Sequence, residues 1–236
     1  MKKYSLILTA LFCLIIFSSC EDDVVPEIVF SCEPTTDFYA SFILNYYTTN
    51  PIQSGFKKPT KQEGVCWNDV YPYQIASTGT GNCGITYEYV VNPFLATGIS
   101  LQEYKLSEPE YGSFKRYINV LGVFPCEEFS SKDSFYNLFQ EGQYGISSGF
   151  EDVGKFIIEL WEDDILYTSK DVKNQPSSIL ITEVEYPETQ GTAFVEATMK
   201  FSAVLEGQSG KHIYIQDAEV KGRFYRTSRW LLDWDD

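Results

Sequence analysis

The clearest pattern in the chain is alternation. Across residues 193–205, apolar side chains recur at every second position through Met199, Phe201, Ala203 and Leu205, with Lys200 and Ser202 between them. Residues 179–186 repeat the pattern more loosely, from Ile179 and Ile181 to Tyr186. A period of two sends successive side chains to opposite faces, so both runs predict half-buried strands. Residues 206–210 are a turn, and residues 212–215 and 218–225 complete a meander. Residues 156–161 and 165–167 flank Glu162-Asp163-Asp164, an acidic hairpin turn expected to face solvent. In the first half, residues 38–47, 85–91, 99–106 and 114–124 are further strand candidates. Alternation is loose over residues 117–123, which suits a strand buried on both faces.

One segment has a different period. Phe135, Leu138 and Phe139 fall at i, i+3 and i+4 behind Ser131, a good N-cap, with Gly142 at the C′ position. This predicts a short helix over residues 131–141, too short to stand without tertiary packing. Residues 50–64 and 65–84 are rich in Pro, Gly and polar residues and read as loop. The fold class is mainly β: an antiparallel β-sandwich or barrel-like sheet with one short helix. Residues 150–226 are the expected continuous scaffold.

The N-terminus has its own logic. Lys2 and Lys3 precede an apolar run, residues 6–17, of signal-peptide length, too short to span a bilayer comfortably. Ser18-Ser19-Cys20 follows. This resembles the bacterial lipoprotein signal, in which the chain is cut before the cysteine and lipid is attached to its sulfur. The alternative is an ordinary secretory signal with an incidental cysteine. Phe17 departs from the pattern, where Leu is commoner. Glu21-Asp22-Asp23 resembles the acidic export cluster of Bacteroidetes-type lipoproteins, which implies the outer face of the outer membrane; the periplasm is the alternative. The acids cannot themselves grip an anionic lipid surface. The expected organisation is a signal at 1–19, an acidic tether at 20–36, a single β-rich domain at 37–229 and an acidic tail at 230–236.

Removing residues 1–19, which carry Lys2, Lys3 and no acid, leaves 217 residues and takes the formal charge from −15 to −17. Such a surface repels phosphate backbones, which argues against nucleic acid as a partner. Four cysteines remain beyond Cys20: Cys32, Cys66, Cys83 and Cys126. Behind an export signal they suggest two disulfides. Three pairings are open, with Cys66–Cys83 favoured as the short loop and Cys32–Cys126 as its complement. With no CxxC pair, zinc is disfavoured.

Residues 131–226 resemble small uncharacterised Bacteroidetes lipoproteins. The residues that carry the resemblance are Phe139-Gln140-Glu141-Gly142-Gln143-Tyr144, Ile179-Leu180-Ile181-Thr182, Gly191-Thr192, Met199-Lys200-Phe201-Ser202-Ala203 and Gly222-Arg223-Phe224. The resemblance implies a β-sandwich-like domain and brings no functional residue.

Chemistry is sparse. The single histidine, His212, opens a strand and is expected at the surface, with no nucleophile or orienting acid identifiable. There is no HExxH, GxSxG, GxGxxG or P-loop. No catalytic residue, metal ligand or cofactor is assigned. Glu159, Glu162, Asp163 and Asp164 form the densest acidic group, expected to be a solvated strand face and turn. Trp67, Tyr71 and Tyr73 are the candidate ligand-binding residues, because aromatics on loops can stack on sugar rings, with Asn68 and Asp69 as hydrogen-bonding groups. Against that, Trp67 can simply pack on the disulfide beside it. The expectation is a lipid-anchored envelope protein with a non-enzymatic binding or structural role, meeting a glycan or an envelope protein. The alternative is a glycan-acting hydrolase using paired carboxylates.

Overall fold

The computed structural model describes residues 30–34, 37–67, 73–77, 94–104, 114–129, 131–148, 154–170, 172–175, 178–187, 193–208 and 210–226. The chain is mainly β, one antiparallel sheet curled into a half-barrel with two short helices. Its strands are β1 (Tyr39–Tyr47), β2 (Lys61–Trp67), β3 (Tyr73–Ser77), β4 (Phe94–Tyr104), β5 (Phe114–Pro125), β6 (Gly142–Tyr144), β7 (Lys155–Glu162), β8 (Ile165–Thr168), β9 (Ile179–Glu185), β10 (Phe194–Gly207) and β11 (His212–Tyr225). The helices are α1 (Pro51–Ser54) and α2 (Lys132–Asn137). The sheet runs β2-β1-β11-β10-β8-β7-β5-β4-β3, with β9 on β10 and β6 on β9.

The sheet divides between β10 and β7. At one end, β8 bridges them, pairing with Glu206 and Gly207 and with residues 159–162. At the other end β9 pairs with residues 196–200, β6 pairs with β9, and the chain after β6 reaches β7 through Ile146 and Phe156. Between the β8 and β9 pairings, the amide of Gln175 stands in for a backbone partner. Its Nε2 donates to Val204 O at 2.7 Å and its Oε1 accepts from Val204 N at 3.0 Å. Ser169, fully buried, does the same for β7: its Oγ accepts from Ile158 N at 3.0 Å and donates to Ser147 O at 3.1 Å. Buried backbone groups need partners, and two side chains supply them where strands cannot.

Alternation holds along β10, where Val195, Ala197, Met199, Phe201, Ala203 and Leu205 join the core. Phe194, buried at the strand's start, is absent from that core and takes the other parity. In β11 the parity changes midway. Ile213 and Ile215 face inward, and so do Ala218, Val220 and Phe224. The register slips by one residue at Gln216-Asp217 against both β1 and β10, and Asp217 has φ 51° with its N–H bonded to Ser202 Oγ. A bulge absorbs the extra residue and keeps one apolar face. The two expected segments at 212–215 and 218–225 are therefore one bent strand.

One mouth of the half-barrel is plugged by phenylalanine. Phe124, Phe129, Phe135, Phe139, Phe156 and Phe224 pack ring to ring, with centroids 4.6 Å apart for Phe139–Phe224 and 5.4 Å for Phe135–Phe139. Ser131 caps α2 as expected, accepting from Ser134 N at 3.0 Å. The helix ends at Asn137 rather than 141. Leu138 N and Phe139 N bond three residues back, to Phe135 O and Tyr136 O, a tighter turn that drives Phe139 into the plug. Gly142, with φ 146°, opens β6 instead of ending the helix.

Two further expectations are corrected. Residues 50–64 are not all loop: Asn50 caps α1, with Pro51 at the first turn, and β2 runs through 61–67. Cys66 bonds to Cys32, not Cys83, with Cα atoms 5.6 Å apart. Cys66 lies on the exposed face of β2, the side on which Phe30 lies against Gly64, and Cys32, so bonded, cannot also pair with Cys126. Cys83, Tyr71, the candidate strand at 85–91 and the tail at 230–236 lie outside the described residues.

β11 crosses β4 at close range. A Cβ on Gly222 would lie 2.5 Å from Ile99 Cδ1 and 3.1 Å from its Cγ2, and Thr97 Oγ1 donates to Tyr225 O at 2.8 Å. Gly222→Val overfills the crossing and should cost about 1–3 kcal/mol in urea unfolding, with Ile99→Ala in the same chain restoring part of it; additive losses would place the strain elsewhere. Non-reducing peptide mapping should return a Cys32–Cys66 linked peptide. Opening that 34-residue loop should cost roughly 4 kcal/mol by the chain-entropy argument, and a Cys66–Cys83 peptide instead would refute the pairing.

Candidate functional site

The mouth opposite the phenylalanine plug is polar. The inward parity of β1, β2, β5 and β7 ends there in Tyr46, Lys61 and Glu63, Arg116 and Glu162. Arg116 sits between the two acids. Its NH1 donates to Glu63 Oε1 at 2.6 Å, and its Nε lies 2.9 Å from Glu162 Oε2. The second contact is an ion pair without hydrogen-bond alignment, so Glu162 Oε2 is a buried acceptor with no hydrogen bond. Tyr46 OH donates to Glu162 Oε1 at 3.1 Å, and Lys61 Nζ reaches Glu63 Oε2 at 2.9 Å while lying over the Tyr46 ring.

Glu162 is thus not a solvated turn acid. Its side chain is 1% exposed, at the end of β7. The turn itself is Asp163-Asp164, both at positive φ, the left-handed pair that matches the twist of a two-residue hairpin. Periodicity could have found this: Glu162 continues the inward set Phe156, Ile158, Leu160. Glu159 is also buried, on the opposite face, accepting from Asn119 Nδ2 at 3.1 Å and pairing with Lys170 at 2.8 Å.

The environments of the two mouth acids push in opposite directions. The Arg116 hydrogen bond, with help from Lys61, holds the Glu63 carboxyl below the usual range. Burial pushes Glu162 up, and the neighbouring Asp163 and Glu63 add to it; Arg116 and Tyr46 pull back without overcoming the desolvation. Burial and Glu162 together also raise the Tyr46 phenol. Carboxylates whose pKa values diverge are what acid–base catalysis needs. Here, however, a guanidinium occupies the space between them, so the group acts as a clamp that ties β1 and β2 to β5 and β7.

The other sequence candidates fare differently. Trp67 is 6% exposed and meets Phe42 edge-on at 5.3 Å, so it is core and not a stacking platform. Tyr73 opens β3. His212 is buried, 8% exposed, rather than a surface residue, and its Nε2 lies 3.5 Å from Glu206 Oε2. Asn45, also buried, accepts from Gln62 Nε2 and donates toward Tyr214 O. Among the described residues no group of His, Cys, Asp and Glu could hold a metal ion. None of their helices is long and apolar enough to cross a membrane.

Sequence reasoning missed one aromatic pair. Tyr117 on β5 and Trp161 on β7 are direct cross-strand partners on the convex face. Their rings are stacked at 6.0 Å with planes 9° apart, and both are half-buried. The apolar run at 156–161 hid it; the signal was the odd parity of Trp161 against Phe156, Ile158 and Leu160.

The clamp makes a prediction with a sign. Arg116→Met leaves Glu162 buried without its cation and should cost about 3–5 kcal/mol near neutral pH. Glu63 stabilises the fold above its unfolded pKa and loses that contribution as pH falls. Glu162, raised, is stabilising when protonated and loses that as pH rises through its folded pKa. Without Arg116, Glu162 loses the cation that opposed its burial and Glu63 loses its strongest depressing contact, so the deficit should shrink on acidification, and Glu162→Gln in the variant should recover part of it. Urea unfolding across pH reads this; a deficit independent of pH would refute the clamp. No family model, curated protein or solved structure matches the chain.

Proposed function

We propose that this chain is an exported lipoprotein, anchored through lipid on Cys20 at the outer membrane and facing the cell exterior, with a non-enzymatic binding role. Support for the anchor is the order Lys2-Lys3, apolar run, Ser18-Ser19-Cys20 and acidic Glu21-Asp22-Asp23. The observation that carries the non-enzymatic reading is Arg116. A glycosidase with two facing acids needs them separated by room for a sugar and, in inverting enzymes, a water. Glu63 and Glu162 instead share one guanidinium. His212 faces Glu206 with no nucleophile assigned to it.

Cells fed labelled palmitate should label the protein and retain it in the membrane fraction. Cys20→Ala should abolish both; unchanged labelling would refute the anchor. Protease added to intact cells should degrade the wild-type chain if it faces outward, and leave it whole if it is periplasmic.

A further inference from the structure

We propose that the convex face carries a binding groove for a neutral carbohydrate, with Trp161 and Tyr117 as its stacking platform. This deepens the reading of the chain as a binding module, and rests on it. The strand register lays out the groove. Tyr117, Trp161 and Leu166 form one row across β5, β7 and β8. The next row is Asn119, Glu159, Thr168 and Glu206, reaching β10. A half-open depression of about 360 Å³ lies beside these rows, lined by Leu166, Thr168, Glu206, Gly207, Gln208 and Gly210. That volume is at the small end of the range for ligand sites, about 300–1,000 Å³.

The chemistry selects the ligand. Aromatic faces carry negative quadrupole density and attract the slightly positive C–H faces of a sugar ring. Carboxylates are acceptors only, and sugar hydroxyls donate to them. Glu206 supplies that acceptor on the lining, with the carboxylate of Glu159 in the same row behind it. Glu159 is held in place by Asn119 and Lys170, and Asn119 Oδ1 beside it is a buried acceptor with no hydrogen-bond partner. Gly207 and Gly210 line the turn side of the groove. The two carboxylates and the net charge of −15 disfavour an anionic polymer. A protein partner would call for a wider apolar patch. The exposed large hydrophobic residues among those described, Phe56, Leu180 and Tyr186, are not part of this groove.

The test uses the full chain purified in detergent from cells. Probes are cellohexaose, maltohexaose, xylohexaose and mannohexaose, with polygalacturonate as the anionic comparison. Binding is read by isothermal titration and by quenching of tryptophan fluorescence. At least one neutral oligosaccharide should bind. Trp161→Ala should weaken it about tenfold or more, equivalent to about 1.4 kcal/mol, and Glu206→Gln should weaken it while leaving the melting temperature unchanged. Trp67→Ala should lower the melting temperature and spare affinity at a temperature where it stays folded. If Trp161→Ala does not fold, Tyr117→Ala and Glu206→Gln carry the same comparison. No binding to any neutral probe, preferential binding of polygalacturonate, or affinity unchanged in all three groove variants would overturn the proposal. Chain-length analysis of the bound sugar separates the two readings. Cleavage products would overturn the non-enzymatic role and leave the groove standing, whereas absent binding with intact palmitate labelling overturns the groove alone.

Discussion

Among the described residues, the apolar face of this sheet has no second layer to pack against. α1 and α2, of four and six residues, are too small to cover eleven strands. The sheet can bury that face only by curling until its own halves meet, so that β11 packs on β4. Gly222 allows the approach, and the bulge at Gln216-Asp217 bends β11 without turning its apolar residues outward. Curling in turn stretches the connection between β10 and β7. The chain answers by splitting the sheet and filling the seam with Gln175 and Ser169.

A curled sheet leaves two open mouths, and the chain closes them by different physics. Phenylalanine fills one, a non-directional closure that tolerates small adjustments. The other relies on directed contacts around Arg116, where removing one partner strands a charge that burial makes costly. The first closure buries apolar surface; the second ties named strands to one another through directed contacts.

Most of the sheet was legible from period-two alternation, above all in β10, where each inward residue was visible as a letter in the sequence. What was hidden needed long-range information. Gln175 looks like a loop residue because its partner, Val204, lies twenty-nine positions away. Glu162 sits beside two aspartates and so reads as turn, although its parity matches Phe156. Cys66 was paired with the nearer cysteine because a short loop closes at lower entropic cost, whereas the fold carries residues 30–34 back alongside β2. Trp67 and Trp161 were obscured for related reasons: loop-like composition around Trp67 concealed an inward strand position, and the apolar run around Trp161 concealed an outward one.

The Cys32–Cys66 bridge has a mechanical consequence. A pull on the chain upstream of Cys32 does not reach β1 alone. The sulfur bridge delivers part of the load to β2, while the main chain delivers the rest to β1, and those two strands are laced together from Ala40–Trp67 to Tyr46–Lys61. Tension therefore arrives as shear shared across a ladder, instead of opening hydrogen bonds one at a time from a frayed end. With the bridge reduced, the same force would enter at Tyr39 and could begin to unzip β1 from its neighbours. Oxidation at this single site thus sets how the sheet yields when its N-terminus is loaded.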